Sequence, residues 1–452
     1  MTKHFIVSKF SNSSKPYRRS SDGPISYTVL SRDGTLYEVA GKIWHLALTG
    51  DFSSIPVESL NELCEKKLVV DSSTEELIEI LSENNIGIEE NRDLAIVIQP
   101  TALCQLGCNY CGQEHTADNL DPSNIAATIE RIKQKADPEK HDRLTIRWFG
   151  GEPLLALEVI REISRALIPF AAELGLEYSA SMTTNGVRLY PKIAKELYEV
   201  CKVVSFEITL DGDSETHNVA RPHKGGAGSF AMIYQNLMNL SKRSDILPFV
   251  SLRCNVDSNN LASFERLVER IDRDGFADKL GALYPCLIFN WGNEAGNDNE
   301  LSFQEFADWE LEVVKYLIAK GIKTSVVPRR KKITCLALKK DSELIDPFGN
   351  IFNCSEVSLV PAYEVGNTTK ENYVNKYQIG TLGSGTDDSK RSILGDFNAT
   401  ISNGEVPCAN CSILPVCGGG CPKQWAEGSA PCPPHKANIT QRLTLAGLHL
   451  QS

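Results

Sequence analysis

The chain of 452 residues is 42% hydrophobic, ample for large cores, and at ~100–200 residues per domain it predicts two to four domains. Its formal net charge of −11 argues against a generic nucleic-acid binder, which needs a basic face, although a basic patch runs over 320–332. No apolar run reaches the ~18 residues of a membrane span and no secretory signal opens the chain, so neither nucleic acid nor membrane is an expected partner and the setting reads as cytoplasmic.

Residues 1–90 carry no cysteine motif. The pattern predicts strands over 3–10, 25–30 and 35–39, the last two joined by Ser31-Arg32-Asp33-Gly34, whose Asp-Gly step signals a hairpin. Amphipathic helices follow over 40–48, 57–66 and 74–84, with Ser73 as N-cap of the third and Cys64 in the core. From residue 93 strands and helices alternate. Strands are expected over 94–98, 144–148, 178–182, 203–210, 249–256 and 282–290. Helices are expected over 125–135, 155–174, 192–199, 230–241 and 264–273, with a further one over 298–319. Six such units predict a partial (β/α)6 barrel of the α/β class, with its chemistry at the C-terminal ends of the strands. Residues 328–332 then form a basic junction, read as solvated, before a Gly- and Pro-rich end.

The chain has 14 cysteines, clustered rather than scattered, and that arrangement points to metal ligation more than to disulfides. Cys104, Cys108 and Cys111 fall within eight residues just past the 94–98 strand. Three thiolates hold one soft metal centre but cannot fill a four-ligand shell. A [4Fe–4S] cube bound this way leaves one iron open to a ligand. A zinc site short of a ligand, or three separate buried cysteines, fits the same spacing. A second set comprises Cys335, Cys354 in G-x4-C spacing from Gly349, then Cys408, Cys411, Cys417 and Cys421 as C-x2-C-x5-C-x3-C, and Cys432. So short a segment is expected to bury little apolar surface and to draw part of its folding free energy from metal. Read alone, 408–432 also suits a zinc ribbon. Cys201, Cys254 and Cys286 lie in apolar segments and read as buried, Cys286 being the one placed to reach a barrel cavity.

Further motifs stand at strand ends: Gly150-Gly151-Glu152-Pro153, Thr184-Asn185-Gly186, and FEITLDG over 206–212 followed by His217 and Arg221. Together with Cys104, Cys108 and Cys111 they resemble the radical S-adenosylmethionine (SAM) superfamily, from about residue 93 to the C-terminus. The seven later cysteines resemble its SPASM extension at every position. The resemblance implies a radical SAM barrel over 93–327 and a small iron–sulfur domain over 328–452. It implies a [4Fe–4S] cluster on Cys104, Cys108 and Cys111 that cleaves SAM, with Gly150, Gly151, Glu152, Pro153, Asn185, Thr209 and Arg221 around the co-substrate. Glu152 either accepts from the methionine ammonium or holds the turn, and Asn185 either touches SAM or shapes its own turn. Two auxiliary clusters follow, one on Cys408, Cys411, Cys417 and Cys432, the other on Cys335, Cys354 and Cys421 with its fourth position unassigned. Residues 1–90 resemble the winged-helix-like peptide-recognition domains of ribosomal peptide maturases, in which a leader peptide adds as a strand at a sheet edge.

The resemblance therefore implies a maturase that crosslinks, through a carbon–carbon or thioether bond, or otherwise oxidises, a ribosomally made precursor peptide. Its electrons would come from an external donor such as flavodoxin or ferredoxin. An anaerobic sulfatase maturase forming formylglycine is a second reading. That family commonly has Asp directly after the G-x4-C cysteine, where this chain has Ser355. A cluster-bearing redox or scaffold protein is the third.

Overall fold

A computed structural model describes residues 4–288, 301–366 and 374–449. Residue 3 of the first expected strand, 289–290 of the last barrel strand and 298–300 of the late helix lie outside these.

The chain opens with β1 (Phe5–Val7), β2 (Asn12–Ser13), β3 (Ser26–Leu30) and β4 (Leu36–Ala40), followed by α1 (Gly41–Thr49), α2 (Val57–Glu65) and β5 (Val69–Asp71). β2, β3 and β4 form an antiparallel sheet in that order, and β1 pairs with β5. The predicted hairpin joins β3 to β4. Val29, Trp44, Leu63 and Leu68 are buried together beneath these elements, with Cys64 packed against them. The third helix, α3 (Glu76–Glu89), starts later than expected. Ser73 does not cap it; its N–H and hydroxyl both donate to Asp71 Oδ1 instead. Ile80 and Leu81 of α3 join a different core, with Leu344, Phe352, Phe397 and Ile401.

All six barrel strands form: β6 (Asp93–Ile98), β7 (Arg143–Trp148), β8 (Glu177–Thr184), β9 (Val203–Thr209), β10 (Val250–Val256) and β11 (Ala282–Leu287). They are parallel and adjacent in sequence order. Between them run α4 (Pro122–Lys135), α5 (Leu157–Glu173), α6 (Pro191–Glu199), α7 (Ser214–Ala220), α8 (Phe230–Leu240) and α9 (Leu261–Arg273). The β-branched strands are buried on the helix side, as in Ile96, Ile146 and Ile208, each at most 1% exposed. α10 (Phe303–Ala319) begins with a capping box, Ser302 with Glu305.

The sheet does not end at the barrel. β12 (Glu343–Ile345) adds parallel to β6, and β13 (Asn350–Phe352), β14 (Gln378–Thr381) and β15 (Gly385–Thr386) continue antiparallel to give ten strands. The short helices α11 (Asp388–Gly395), α12 (Phe397–Ser402), α13 (Leu414–Cys417) and α14 (Pro422–Ala426) follow, then α15 (His435–His449), which packs on β3 and α10.

Two expectations are corrected here. The cysteine-rich end does bury apolar surface, because Leu344, Phe352, Leu394, Phe397 and Ile401 share a core with α3. The basic junction is not solvated at Arg330, whose side chain is 11% exposed and donates to Asn84 Oδ1 at 2.7 Å and to the Pro415 carbonyl at 3.0 Å. Cys201 and Cys254 are buried, as their apolar settings imply. Among the described residues no disulfide forms, and no helix is long and apolar enough to cross a membrane.

Candidate active site

The three-cysteine loop leaves β6 at its C-terminal end and is tied down by main-chain bonds on three sides. Ala102 N–H donates to Asp118 O at 2.9 Å, Gly107 N–H to Pro222 O at 2.8 Å, and Glu152 N–H to Leu103 O at 2.8 Å. Cys104 is 6% exposed, while Cys108 and Cys111 are half-buried. Burial pushes the Cys104 thiol up to about 12, and the neighbouring Glu152, Cys108 and Cys111 push the same way. Burial also raises Cys108 and Cys111, with the Arg221 guanidinium pulling both back. Three thiols all raised by desolvation, Cys104 also by both its neighbours and Cys108 by Cys111, do not ionise together unless a cation stands among them. The donor set therefore fits a cationic cluster. His115 Nε2 lies 3.9 Å from Cys111 Sγ, and burial lowers its pKa to about 4, so its ring is neutral.

The glycine turn lies directly against this loop. Gly151 has φ +50°, and a Cβ there would meet the carbonyl oxygens of Thr101 and Leu103 at 2.7 Å. At Gly150, φ +76°, a Cβ would strike the Gln99 side chain at 2.5 Å. Glu152 is fully buried, and both its carboxylate oxygens serve the framework. Oε1 accepts from Thr184 Oγ1 at 2.7 Å and Leu154 N–H at 3.0 Å, and Oε2 from Asn185 N–H at 2.7 Å. Of the two roles open for Glu152, this geometry is that of a strut between the glycine and Thr-Asn-Gly turns. Asn185 does shape its turn, Oδ1 accepting from Val187 N–H at 3.0 Å, while Nδ2 faces Cys104 Sγ at 3.8 Å.

A network the sequence did not flag anchors the loop from the other side. Tyr110, next to Cys111, donates its hydroxyl to buried Asp211 and accepts from Arg221 and, at 2.9 Å, from Asn255 Nδ2. Burial raises the Asp211 carboxyl, and Arg221, 3.8 Å away, opposes that rise. Arg221 is 8% exposed and its Nε has no hydrogen-bond partner.

An open cavity lies over the C-terminal ends of the barrel strands. Arg147, Thr183, Glu207, Thr209, Arg253 and Asn255 line it from β7 to β10, together with Cys111 of the loop and Glu356 of the segment after β13. Tyr284 donates its hydroxyl to Glu207. Cys286 shares the Arg253 side of β10 and β11, its thiol raised by burial and pulled back by Arg253. Pro153 is buried in the 3-10 turn Pro153–Ala156 beneath the glycine turn.

The later cysteines fall into two groups. Cys408, Cys411, Cys417 and Cys432 line one small pocket with Trp425 and Lys436. Burial raises Cys408 to about 12, and the other three thiols add to it. Among the described residues no three Cys, His, Asp or Glu converge tightly enough for a single ion. A tetrahedral zinc with ~2.3 Å bonds needs its sulfurs about 3.8 Å apart. Thiols that ring a cavity suit a multi-iron cluster better than one zinc. Cys335, Cys354 and Cys421 form the other group. Burial raises Cys354, as do Glu356, Cys335 and Cys421.

Residues 98–271 match the family model described as the radical SAM superfamily. The chain is 22% identical to the cysteine-type anaerobic sulfatase-maturating enzyme of Clostridium novyi (strain NT), over 73% of this chain and 88% of that protein. It is 27% identical to the radical SAM cyclopropyl synthase TigE of Paramaledivibacter caminithermalis, over 35% of each. In fold it is similar to native anSMEcpe with bound AdoMet (TM-score 0.58, 16% identity, 78% of this chain and 99% of that one). It is also similar to Streptococcus suis SuiB bound to precursor peptide SuiA (TM-score 0.50, 14% identity, 94% of this chain and 98% of that one). The thiol loop, the glycine turn and strands β7 to β10 all lie within the matched residues, and the chain carries a radical SAM domain at its centre.

Proposed function

We propose that this protein reductively cleaves SAM and uses the radical to oxidise a ribosomally made peptide, forming a carbon–carbon or thioether crosslink. The observation that carries the reading is a cavity lined by Cys111 of the thiol loop, by the ends of the barrel strands and by Glu356 and Val360 of the segment that follows Cys354. Cys104, Cys108 and Cys111 would hold a [4Fe–4S] cluster with one open iron, which would supply the electron for cleaving SAM to methionine and a 5′-deoxyadenosyl radical. Gly150 and Gly151 let backbone approach the methionine end, and buried Pro153 fixes the turn behind them. Glu152 holds the glycine turn against Asn185, whose amide faces the cluster loop. Thr209 contacts the ribose from the end of β9, and the unpartnered Arg221 Nε offers a donor to the carboxylate. The cavity walls keep stray hydrogen donors from the target carbon.

Residues 1–90 receive the leader of the precursor peptide, in keeping with β4 as an edge strand and with the SuiB likeness extending over this region. Cys408, Cys411, Cys417 and Cys432 hold one auxiliary cluster, and Cys335, Cys354 and Cys421 another. A flavodoxin- or ferredoxin-type donor would reduce the cluster held by Cys104, Cys108 and Cys111.

The relatives described as sulfatase-maturating enzymes favour a second reading, formylglycine formation, over 73% of the chain. Ser355 stands where that family commonly has its Asp. One experiment separates the two. Reconstituted protein is given SAM, reductant and either the short peptides encoded beside the gene or a cysteine-bearing sulfatase peptide, and mass change is read. Modification of a flanking peptide supports the first reading, and modification of the sulfatase peptide alone replaces it.

A further inference from the structure

Inside the barrel two arginines stand without a paired counter-charge. Arg147 of β7 and Arg253 of β10 both line the cavity, and both are half-buried. Among the described residues every other arginine that is not exposed is ion-paired, as Arg161 is with Glu196 and Arg442 with Glu310. Arg147 and Arg253 close no such pair. The sheet register explains why. Val97 and Ser181 stand beside Arg147, and Thr209 and Tyr284 beside Arg253, so no acidic residue faces either one across the strands.

Both guanidinium groups are oriented all the same. Arg147 Nη2 donates to Thr183 Oγ1 at 3.3 Å, and its guanidinium lies 5.2 Å from the centre of the Phe149 ring. Arg253 Nε donates to Asn255 Oδ1 at 2.9 Å. Their remaining nitrogens are not sealed inside the protein. The two carboxylates that share the cavity are engaged elsewhere, Glu207 by the Tyr284 hydroxyl and Glu356 by Ser355 Oγ at 3.3 Å. SAM brings a single carboxylate, which the reading above gives to Arg221. Two oriented cations are left over, and a charge taken out of water is costly unless an opposite charge meets it.

We propose that Arg147 and Arg253 seat a carboxylate of the peptide beside the residue that is modified, an inference that rests on the peptide-oxidising reading above. The substrate segment is thus acidic at that point, through an Asp or Glu side chain or through its C-terminus. A planar guanidinium matches a carboxylate with two parallel N–H donors, so the pair fixes direction as well as charge. Anchoring the segment there holds one C–H bond toward the radical, and a neutral segment leaves both cations uncompensated once water is excluded.

The test gives full-length reconstituted protein the flanking-gene peptides in three forms: as encoded, with each Asp or Glu changed in turn to Asn or Gln, and with the C-terminus amidated. The sulfatase peptide is tested in the same forms. Product per 5′-deoxyadenosine, SAM affinity and iron content are read for wild type, Arg147→Gln, Arg253→Gln and the two Lys variants. With wild type, one neutralised form is expected to lose about tenfold or more in product per deoxyadenosine, and which form does so tells side chain from C-terminus. Each Gln variant should lose as much on the encoded peptide and lose little more on the neutralised one, because the same contact is removed twice. Lys should restore part of the loss. Iron content and SAM affinity should match wild type. Wild type that treats all three forms alike overturns the proposal, as do losses that simply add. A Gln variant with weakened SAM affinity overturns it too, by placing that arginine at SAM. Where a variant takes up no iron, the wild-type comparison of the three forms decides. Wild type that modifies neither the flanking-gene nor the sulfatase peptides sinks the peptide reading itself.

Discussion

The thiols at the barrel mouth and those of 408–432 make different demands on a metal. The Cys104–Cys111 loop rests on a core in which Ile98, Leu144 and Trp148 are fully buried, and main-chain bonds pin it to the residues around 118, 152 and 222. The later segment is built from α13 and α14, of four and five residues, and from three successive glycines at positive φ. It packs Ile413 and Val416 with Leu30 and Leu443, and Leu414 and Trp425 against the core shared with α3. The first site, braced in this way, should keep its shape without its cluster. The second owes much of its shape to what its thiols hold.

The largest effect should separate the two at once. Replacing Cys104, Cys108 or Cys111 by alanine is expected to abolish 5′-deoxyadenosine release and to remove about four of about twelve irons. Thermal unfolding should barely move. Next, Cys411→Ala or chelation should leave the barrel folded but expose 408–432 to protease and hydrogen exchange. Equal protection of both regions after chelation would erase the contrast.

The seam between the two regions offers a third test. Glu343 of β12 is fully buried and takes Arg131 bidentately at 2.7 and 2.8 Å, Lys135 at 3.0 Å and Arg391 at 3.1 Å. Removing the carboxylate with Glu343→Ala strands three cations and should cost about 3–5 kcal/mol, read by denaturant unfolding. Burial alone would raise its carboxyl, but these partners hold it below its ordinary value. Its contribution is therefore present above the unfolded carboxylate pKa and lost as pH falls through the lowered folded one. Acidification should loosen the seam in wild type and less so in Glu343→Gln. The smallest effect belongs to Glu152→Gln. It unbalances a strut with three hydrogen bonds and should cost about 1–3 kcal/mol, with weaker SAM binding by titration and iron content unchanged.

How much of this was legible follows from the range of the signals. The six barrel strands are runs such as DLAIVI in β6, buried on one face and bounded by turns, so local pattern reveals them. The cysteine spacings are local too. β12 to β15 were not legible, because strands of two to four residues containing Asn, Gln and Gly carry no periodic signal. Nor was the packing of α3 on the C-terminal core, since its apolar stripe says only that it packs somewhere. Tyr110 bonds Asp211, and Glu356 lines one cavity with Cys111, across more than a hundred residues, and only the folded barrel brings them together.

One measurement bears most directly on the central claim that three thiols hold a SAM-cleaving cluster at the barrel mouth. Anaerobically reconstituted protein is mixed with SAM and dithionite, and 5′-deoxyadenosine is quantified beside a Cys108→Ala variant that keeps its other irons. The account predicts nucleoside from the wild type and none from the variant. Equal release from both, or none from a fully iron-loaded wild type, would contradict it.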